Sequence, residues 1–565
     1  MVSHAHGQGY ADLHFVIPEV IDKIDFSKGP YYADVGNLNT AGYVEFRTKE
    51  KVSSDLVQFE LGDFNTKRVL GMKSLTKDNS PHHAYVAAEY LYSDGPVESP
   101  QDFSRLNLMA RMTANWKDDS KLTFLVSTFG SDWNASGQIP QRLVDSGEIT
   151  RFGSVDDTEG GETSRTNAML EYYKPLTVNH FLKSRAYYSK YDFELYSNFT
   201  FFLEDPVNGD QIRQKEDRHI FGWESRIIST PFANSPNITT QVGAGFRYDN
   251  VNDNELSQTT NRTITLNQLR FGDVDEWNGY SFFDMEIDLG DWMINPGIRG
   301  DFFNFKYTDR LNSGISLSDQ ATIISPKLNI IYSPSRDWQL FIKSGTGFHS
   351  NDSRVVVSEN SEQILPRALG LDLGASWKPV KDLWITSALW YLYMEQEFVY
   401  VGDAGIVEPS GRSRRMGADI GLRYQLTSHL YGYADVNYAF ARALDTESGA
   451  DYIPLAPDLT ASGGLSISAW KNFSGGFRFR YIKDRPANED YSITAEGYFV
   501  TDLNMNYSLG NLTFGVQVEN LFDADWNEAQ FATESQLRSE AIPVEELHFT
   551  PGVPFYLKGS IQYRF

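Results

Sequence analysis

Three histidines near the amino-terminus, His4, His6 and His14, stand among Gln8, Tyr10 and Asp12. Neutral imidazole is the commonest transition-metal ligand in proteins. Two readings follow: contact to a metal or metal chelate, with His4 and His6 foremost, or hydrogen bonds that fix a loop, since the spacing matches no established metal site. A second polar cluster, His349, Asn351, Asp352 and Arg354, lies in a long loop. The next long loop carries Glu395, Glu397, Asp403, Glu408, Arg412, Arg414 and Arg415. Such groups either line a vestibule and fix an incoming solute, or are solvated charges in Arg–carboxylate pairs that are each worth little at a surface. Ser350, beside His349 and Asp352, has the residue types of a hydrolytic triad, but adjacency in sequence is not geometry. There is no HExxH, Walker loop or Gly-x-Ser-x-Gly elbow, and Gly345-Thr346-Gly347 is too short to cradle a phosphate. Zero cysteines remove disulfides, thiolate metal sites and cysteine nucleophiles together. No enzyme and no cofactor are indicated.

Stepping along the chain, the elements that must position these groups are strands. About twenty-two alternating stretches follow residue 54, an even number suited to an antiparallel barrel with both termini on one side. Their linkers alternate short and long. Short ones include Trp116–Ser120, Lys174–His180, Leu289–Trp292, Ser333–Asp337, Lys378–Leu383, Thr427–His429, Lys471–Ser474 and Leu509–Asn511. Between them lie polar stretches read as long loops: Thr128–Thr163, Asp192–His219, Asn250–Asn278, Thr346–Pro366, Glu395–Ser413, Ala441–Thr460 and Leu521–Pro554. Leu512, Phe514, Val516 and Val518 alternate with Thr513, Gly515, Gln517 and Glu519, giving one face for hydrocarbon and one for a wet lumen. Aromatic rings border the short turns, as interfacial rings do.

Composition agrees. A mean hydropathy of −0.41, with 22% charged residues and no long apolar run, excludes a helical membrane protein. A formal charge of −25 opposes nucleic acid as a partner. The expected fold class is all-β, a transmembrane antiparallel barrel over residues 50–565. The last residues place Phe555, Leu557, Ile561, Tyr563 and Phe565 on one apolar face that ends the chain. Residues 1–49 do not share the strand rhythm and read as a separate element, with short strands at Ile21–Phe26 and Tyr43–Thr48 around Gly29-Pro30.

That separate element carries a resemblance. Asp22–Pro30 (DKIDFSKGP), Gly36 and Ala41–Lys49 (AGYVEFRTK) resemble the closing segment of the plug domain of TonB-dependent outer-membrane receptors. The likeness continues in Gly347–Arg354 (GFHSNDSR), Tyr400–Asp403 (YVGD), Glu408–Arg412 (EPSGR), Glu519–Asp523 (ENLFD) and the terminal Phe565. It implies a partial plug (residues 1–49) inside a twenty-two-stranded barrel in the bacterial outer membrane. It also implies energised uptake of a scarce solute, such as a siderophore or other metal chelate, cobalamin or an oligosaccharide, with the named histidines and loop residues near the ligand. The partners it implies are outer-membrane lipid, a TonB-type inner-membrane complex, and the barrel-assembly machinery, which reads the terminal aromatic segment. A member of that family begins with a signal peptide, a TonB box and more of the plug. None of these is read here, so Met1 is expected to fall where an internal plug residue would be. A passive channel, a transport-incompetent fragment, or a surface receptor or adhesin on the same barrel are the alternatives.

Overall fold

The computed structural model describes residues 12–565 apart from 78, 231–236, 313, 359–363, 397, 402–405 and 410. Among the described residues, twenty-two strands close into one antiparallel barrel. The first, Leu56–Gly62, pairs with the last, Tyr556–Arg564, through Val57↔Tyr563 and Phe59↔Ile561, so the sheet has no lateral edge in its spanning part. This closure satisfies every backbone group within a bilayer. Alternation fixes the register: on the closing strand Leu557, Ile561 and Tyr563 face outward and are exposed. On Trp292–Asp309, Arg299, Asp301, Phe303 and Phe305 point inward and are buried. A one-residue slip would put the charges into lipid.

One rim is built of tight turns bordered by outward aromatics. Trp292 stacks on Tyr332 at 4.3 Å between ring centroids and Trp338 on Trp377 at 5.1 Å. This is the interfacial girdle of the periplasmic side. The opposite, extracellular rim is uneven. Leu56–Gly62 has 7 residues, whereas the hairpin Ile238–Thr260 and Ile264–Asp288 has strands of 23 and 25. At about 3.3 Å per residue the longest strand runs roughly 80 Å, far more than a membrane requires.

Here the expectation from sequence is corrected. Asn250–Asn278 is not a long loop but the two upper arms of this hairpin, joined by a turn at 261–263. The flanks of Thr128–Thr163 and Asp192–His219 are likewise strand: Lys121–Ala135 and Glu159–Thr177 enclose the first, and His180–Ser197 and Ile212–Ser229 the second. Above the bilayer both faces of a strand meet water or polar neighbours, so no apolar alternation marks them.

Residues 12–49 lie within the lumen. Ile21–Lys28 and Gly42–Thr48 form an antiparallel hairpin, with Phe26 opposite Val44. Ile17 and Val20 bury against the inward Leu70, Met72 and Tyr85. Gly29, at φ +71°, allows the turn into Pro30. The barrel makes room for this inner segment with glycines of its own: a Cβ on Gly345 would lie 2.5 Å from the Pro30 carbonyl oxygen, and one on Gly347 2.2 Å from that of Asn39.

Candidate functional site

The candidate site lies where the inner segment meets the barrel wall and the mouth, and polar and charged pairs tie the segment to the wall. Lys327 donates to the Pro30 carbonyl oxygen at 2.7 Å, Asn329 to that of Tyr31 at 3.1 Å, and Arg226 reaches Asp34 at 3.0 Å. Tyr31 donates to Asp372, and Lys28 pairs with Asp419. Lower in the chain, Arg68 joins Glu19 of the inner segment at 2.6 Å to Glu60 at 2.6 Å and Glu89 at 2.5 Å on the wall. Arg105 and Lys558 complete the coordination of those carboxylates. The barrel partners in these pairs sit at inward positions of their strands, which is why charges occur in spanning segments at all.

Residues 349–358 of the long loop fold into the mouth instead of standing in solvent. Its short helix, Ser353–Ser358, places Val356 in an apolar cluster with Phe303, Phe305, Ile323 and Phe348. That anchor buries the neighbouring polar residues: His349, Asn351 and Arg354 are all at most 7% exposed. Arg354 grips Asp352 in bidentate fashion at 2.6 and 2.9 Å and reaches Asn254 at 2.9 Å; Ser353 meets Glu276 at 3.2 Å. Asn351 donates to Gln396 at 2.8 Å. Ser350 and Asn37 exchange two hydrogen bonds, 2.7 Å from the Ser350 N–H and 2.8 Å from the Asn37 amide. The loop is therefore tied directly to the inner segment. Asn37→Ala removes both bonds at about 1 kcal/mol each. Faster amide exchange confined to residues 348–358, with the barrel unchanged, is the expected outcome.

A cap of interlocked loops covers another part of the mouth. Ile139–Pro140, Asn527–Ser535 and Val544–Pro551 form a small sheet. Arg142 clamps Glu540 at 2.7 Å and Glu546 at 2.5 Å. Burial alone would raise the Glu540 carboxyl, but the Arg142 bond, the Leu537 N–H and the Arg142 charge outweigh it and hold the group below its usual range. His548 is fully buried, accepts or donates at 3.0 Å to Ser535 and stacks on Phe201 from a third loop. Burial, with the Arg142 charge second, pushes its pKa down to about 3. An open cap would take up a proton near pH 6.5 while the closed cap cannot. Closure is thus fully supported above pH 6.5 and weakens as pH falls from there toward 3. Amide exchange in residues 136–158 and 521–555, corrected for its intrinsic pH dependence, is expected to be faster at pH 5 than at pH 7.5, and His548→Phe is expected to flatten that difference.

The predicted site residues divide as follows. His349, Asn351, Asp352 and Arg354 come together on the inward loop. Glu395 lies at its edge, accepting from the Arg367 N–H at 2.8 Å. His14 is elsewhere, its side chain against Asp12 at 3.1 Å and its carbonyl bonded by Asn107. His4, His6, Glu397 and Asp403 lie outside the described residues. The triad types are dispersed: the Ser350 hydroxyl meets Asn37, His349 approaches the Gln396 carbonyl at 3.5 Å, and Asp352 holds Arg354. Among the described residues no group of three His, Asp or Glu side chains is placed to hold a metal ion. Sequence reading missed Arg68, Glu60 and Glu89 and the Arg299–Asp301 pair at 2.8 Å. Opposite charges at the inward parity of alternating strands were the available signal.

A twenty-two-strand barrel whose lumen holds a segment of its own chain defines the plugged class of outer-membrane transporter. The family model described as TonB dependent receptor-like, beta-barrel, matches residues 85–521, and the chain belongs to that family. Members are transporters of the Gram-negative outer membrane and not enzymes, and they work with the TonB system on small solutes. Solved structures share the fold. The ferric citrate transporter FecA in its unliganded form superposes with a TM-score of 0.79 at 17% identity, covering 98% of this chain and 85% of FecA. The siderophore receptor PiuA from Acinetobacter baumannii gives 0.77 at 13% identity, covering 97% and 86%. The copper transporter OprC gives 0.76 at 15% identity, covering 98% and 87%.

Proposed function

We propose that the protein imports a scarce metal chelate, of the siderophore or metal–carboxylate kind, in a TonB-energised cycle. In this reading residues 1–49 are the closing part of the plug and residues 50–565 the barrel. The solute binds above Asn37, against the loop that carries His349, Asn351 and Arg354, and Glu395 borders it. The observation that carries the proposal is the hydrogen-bonded tie between Ser350 of that loop and Asn37 of the inner segment. A solute that moves the loop also loads the segment that must move for passage, which is the differential contact that two-state coupling needs. The neighbours named for ferric citrate, siderophore and copper transport favour a metal chelate over cobalamin or an oligosaccharide.

The test is uptake of iron-55 and copper-64 complexes by a strain lacking the gene, with and without the protein restored. Accumulation of one chelate that disappears when the TonB system is deleted is expected. Equal accumulation with and without the TonB system would leave a passive channel, and none with any chelate would leave a surface receptor.

A further inference from the structure

A groove of about 770 Å³ opens on the outside of the barrel wall, beside the closing seam. Its floor is made by outward positions with little or no side chain: Gly71 stands opposite Ala88, and Ala88 opposite Leu108; one row nearer the periplasm, Ala110 stands opposite Val126. A Cβ built on Gly71 meets nothing within 4 Å, so the depression is open to the membrane. The groove is lined across six adjacent strands, from the one holding Val57 to the one holding Thr166. Five spacings of about 4.8 Å make it roughly 24 Å long, enough for a fatty acyl chain. Lys73 also lines it, next to the last residue of Lys67–Ser74 at the tight-turn rim. Its side chain is exposed, and among the described residues it makes no ion pair.

We propose that this groove is a phospholipid site, with one acyl chain over Gly71, Ala88 and Ala110 and the phosphate of the same lipid on the Lys73 ammonium. The wall faces hydrocarbon, so the occupant must be apolar along most of its length. The charges that line it are at one end only, the Lys73 ammonium and the carboxylate of the terminal Phe565. A long-chained amphiphile with a zwitterionic, phosphate-bearing head satisfies both conditions. The tight-turn rim is the periplasmic one, which selects a phospholipid of the inner leaflet. A lysine at this depth extends its ammonium toward the headgroup phosphates while its stem covers apolar surface.

The experiment is native mass spectrometry and lipid extraction on the protein released from outer membranes in mild detergent. One retained phospholipid per chain is expected. Lys73→Glu should lower retention about tenfold, equivalent to about 1.4 kcal/mol, and Gly71→Leu, which fills the floor from the lipid side, should abolish it. Delipidated wild-type protein, which does not depend on either variant folding, is titrated with phosphatidylethanolamine and with uncharged diacylglycerol. Uptake of the first and not the second supports the site. Purification without phospholipid, equal retention in both variants, equal binding of the two titrants, or a dimer that Gly71→Leu dissociates would each overturn it.

Discussion

Arg68→Met is expected to destabilise the folded barrel by roughly 3–5 kcal/mol, the usual result of removing one partner from a buried ionic cluster. The guanidinium is 9% exposed and the Glu89 carboxylate fully buried. Without Arg68, Glu60 keeps Lys558 and Glu89 keeps Arg105, but Glu19 of the inner segment loses its bidentate grip at 2.6 and 2.8 Å. The loss is therefore both of wall stability and of attachment. Heat-modifiability on gels should shift to a clearly lower temperature, and Glu19→Gln, which leaves the wall pairs intact, should produce a smaller shift. Equal shifts in the two variants would mean that the wall pairs contribute little.

Gly347→Leu is expected to separate barrel assembly from closure of the lumen. The new Cβ would lie 2.2 Å from the Asn39 carbonyl oxygen and 2.7 Å from Pro30 Cβ, and neither is the flexible end of a long side chain. Overpacking of this kind costs typically about 1–3 kcal/mol where neighbours can adjust. Here the backbone hydrogen bond from Leu38 to Phe348, 3.1 Å, pins the inner segment to the same barrel strand, so the segment must shift as a unit. Planar bilayers should show open-channel current where the parent protein is quiet, with unchanged β circular dichroism. Gly300→Ala, whose Cβ meets nothing within 4 Å, is the matched control and should stay quiet.

The barrel was legible because a lipid-facing strand must alternate: Leu512, Phe514 and Val516 announce a strand however little else is known. The tight rim was legible for a related reason, since Trp292, Trp338 and Trp377 mark where hydrocarbon ends. The hairpin at 238–288 was not, because Asn250, Asp253, Asn254 and Glu255 belong to a region where neither face meets lipid. The site was half legible. His349 to Arg354 do gather at the mouth, but their burial depends on Val356 reaching Phe303 and Phe305, which are some fifty residues distant in the chain. The pairing of Arg68 with Glu19 joins two segments 49 residues apart, and no local pattern encodes that.

The lopsided rim has a practical corollary for work on whole cells. The turn at 261–263, at the end of strands of 23 and 25 residues, lies on the extracellular rim and rests on its neighbours, the Arg262 N–H bonding Gln211 at 2.9 Å and its guanidinium Asn134 at 3.2 Å. Asn261 stays exposed there, within reach of an antibody on an intact bacterium. A short epitope spliced between Asn261 and Arg262 would be labelled on living cells, whereas one spliced at Gly290 would stain only after the envelope is breached.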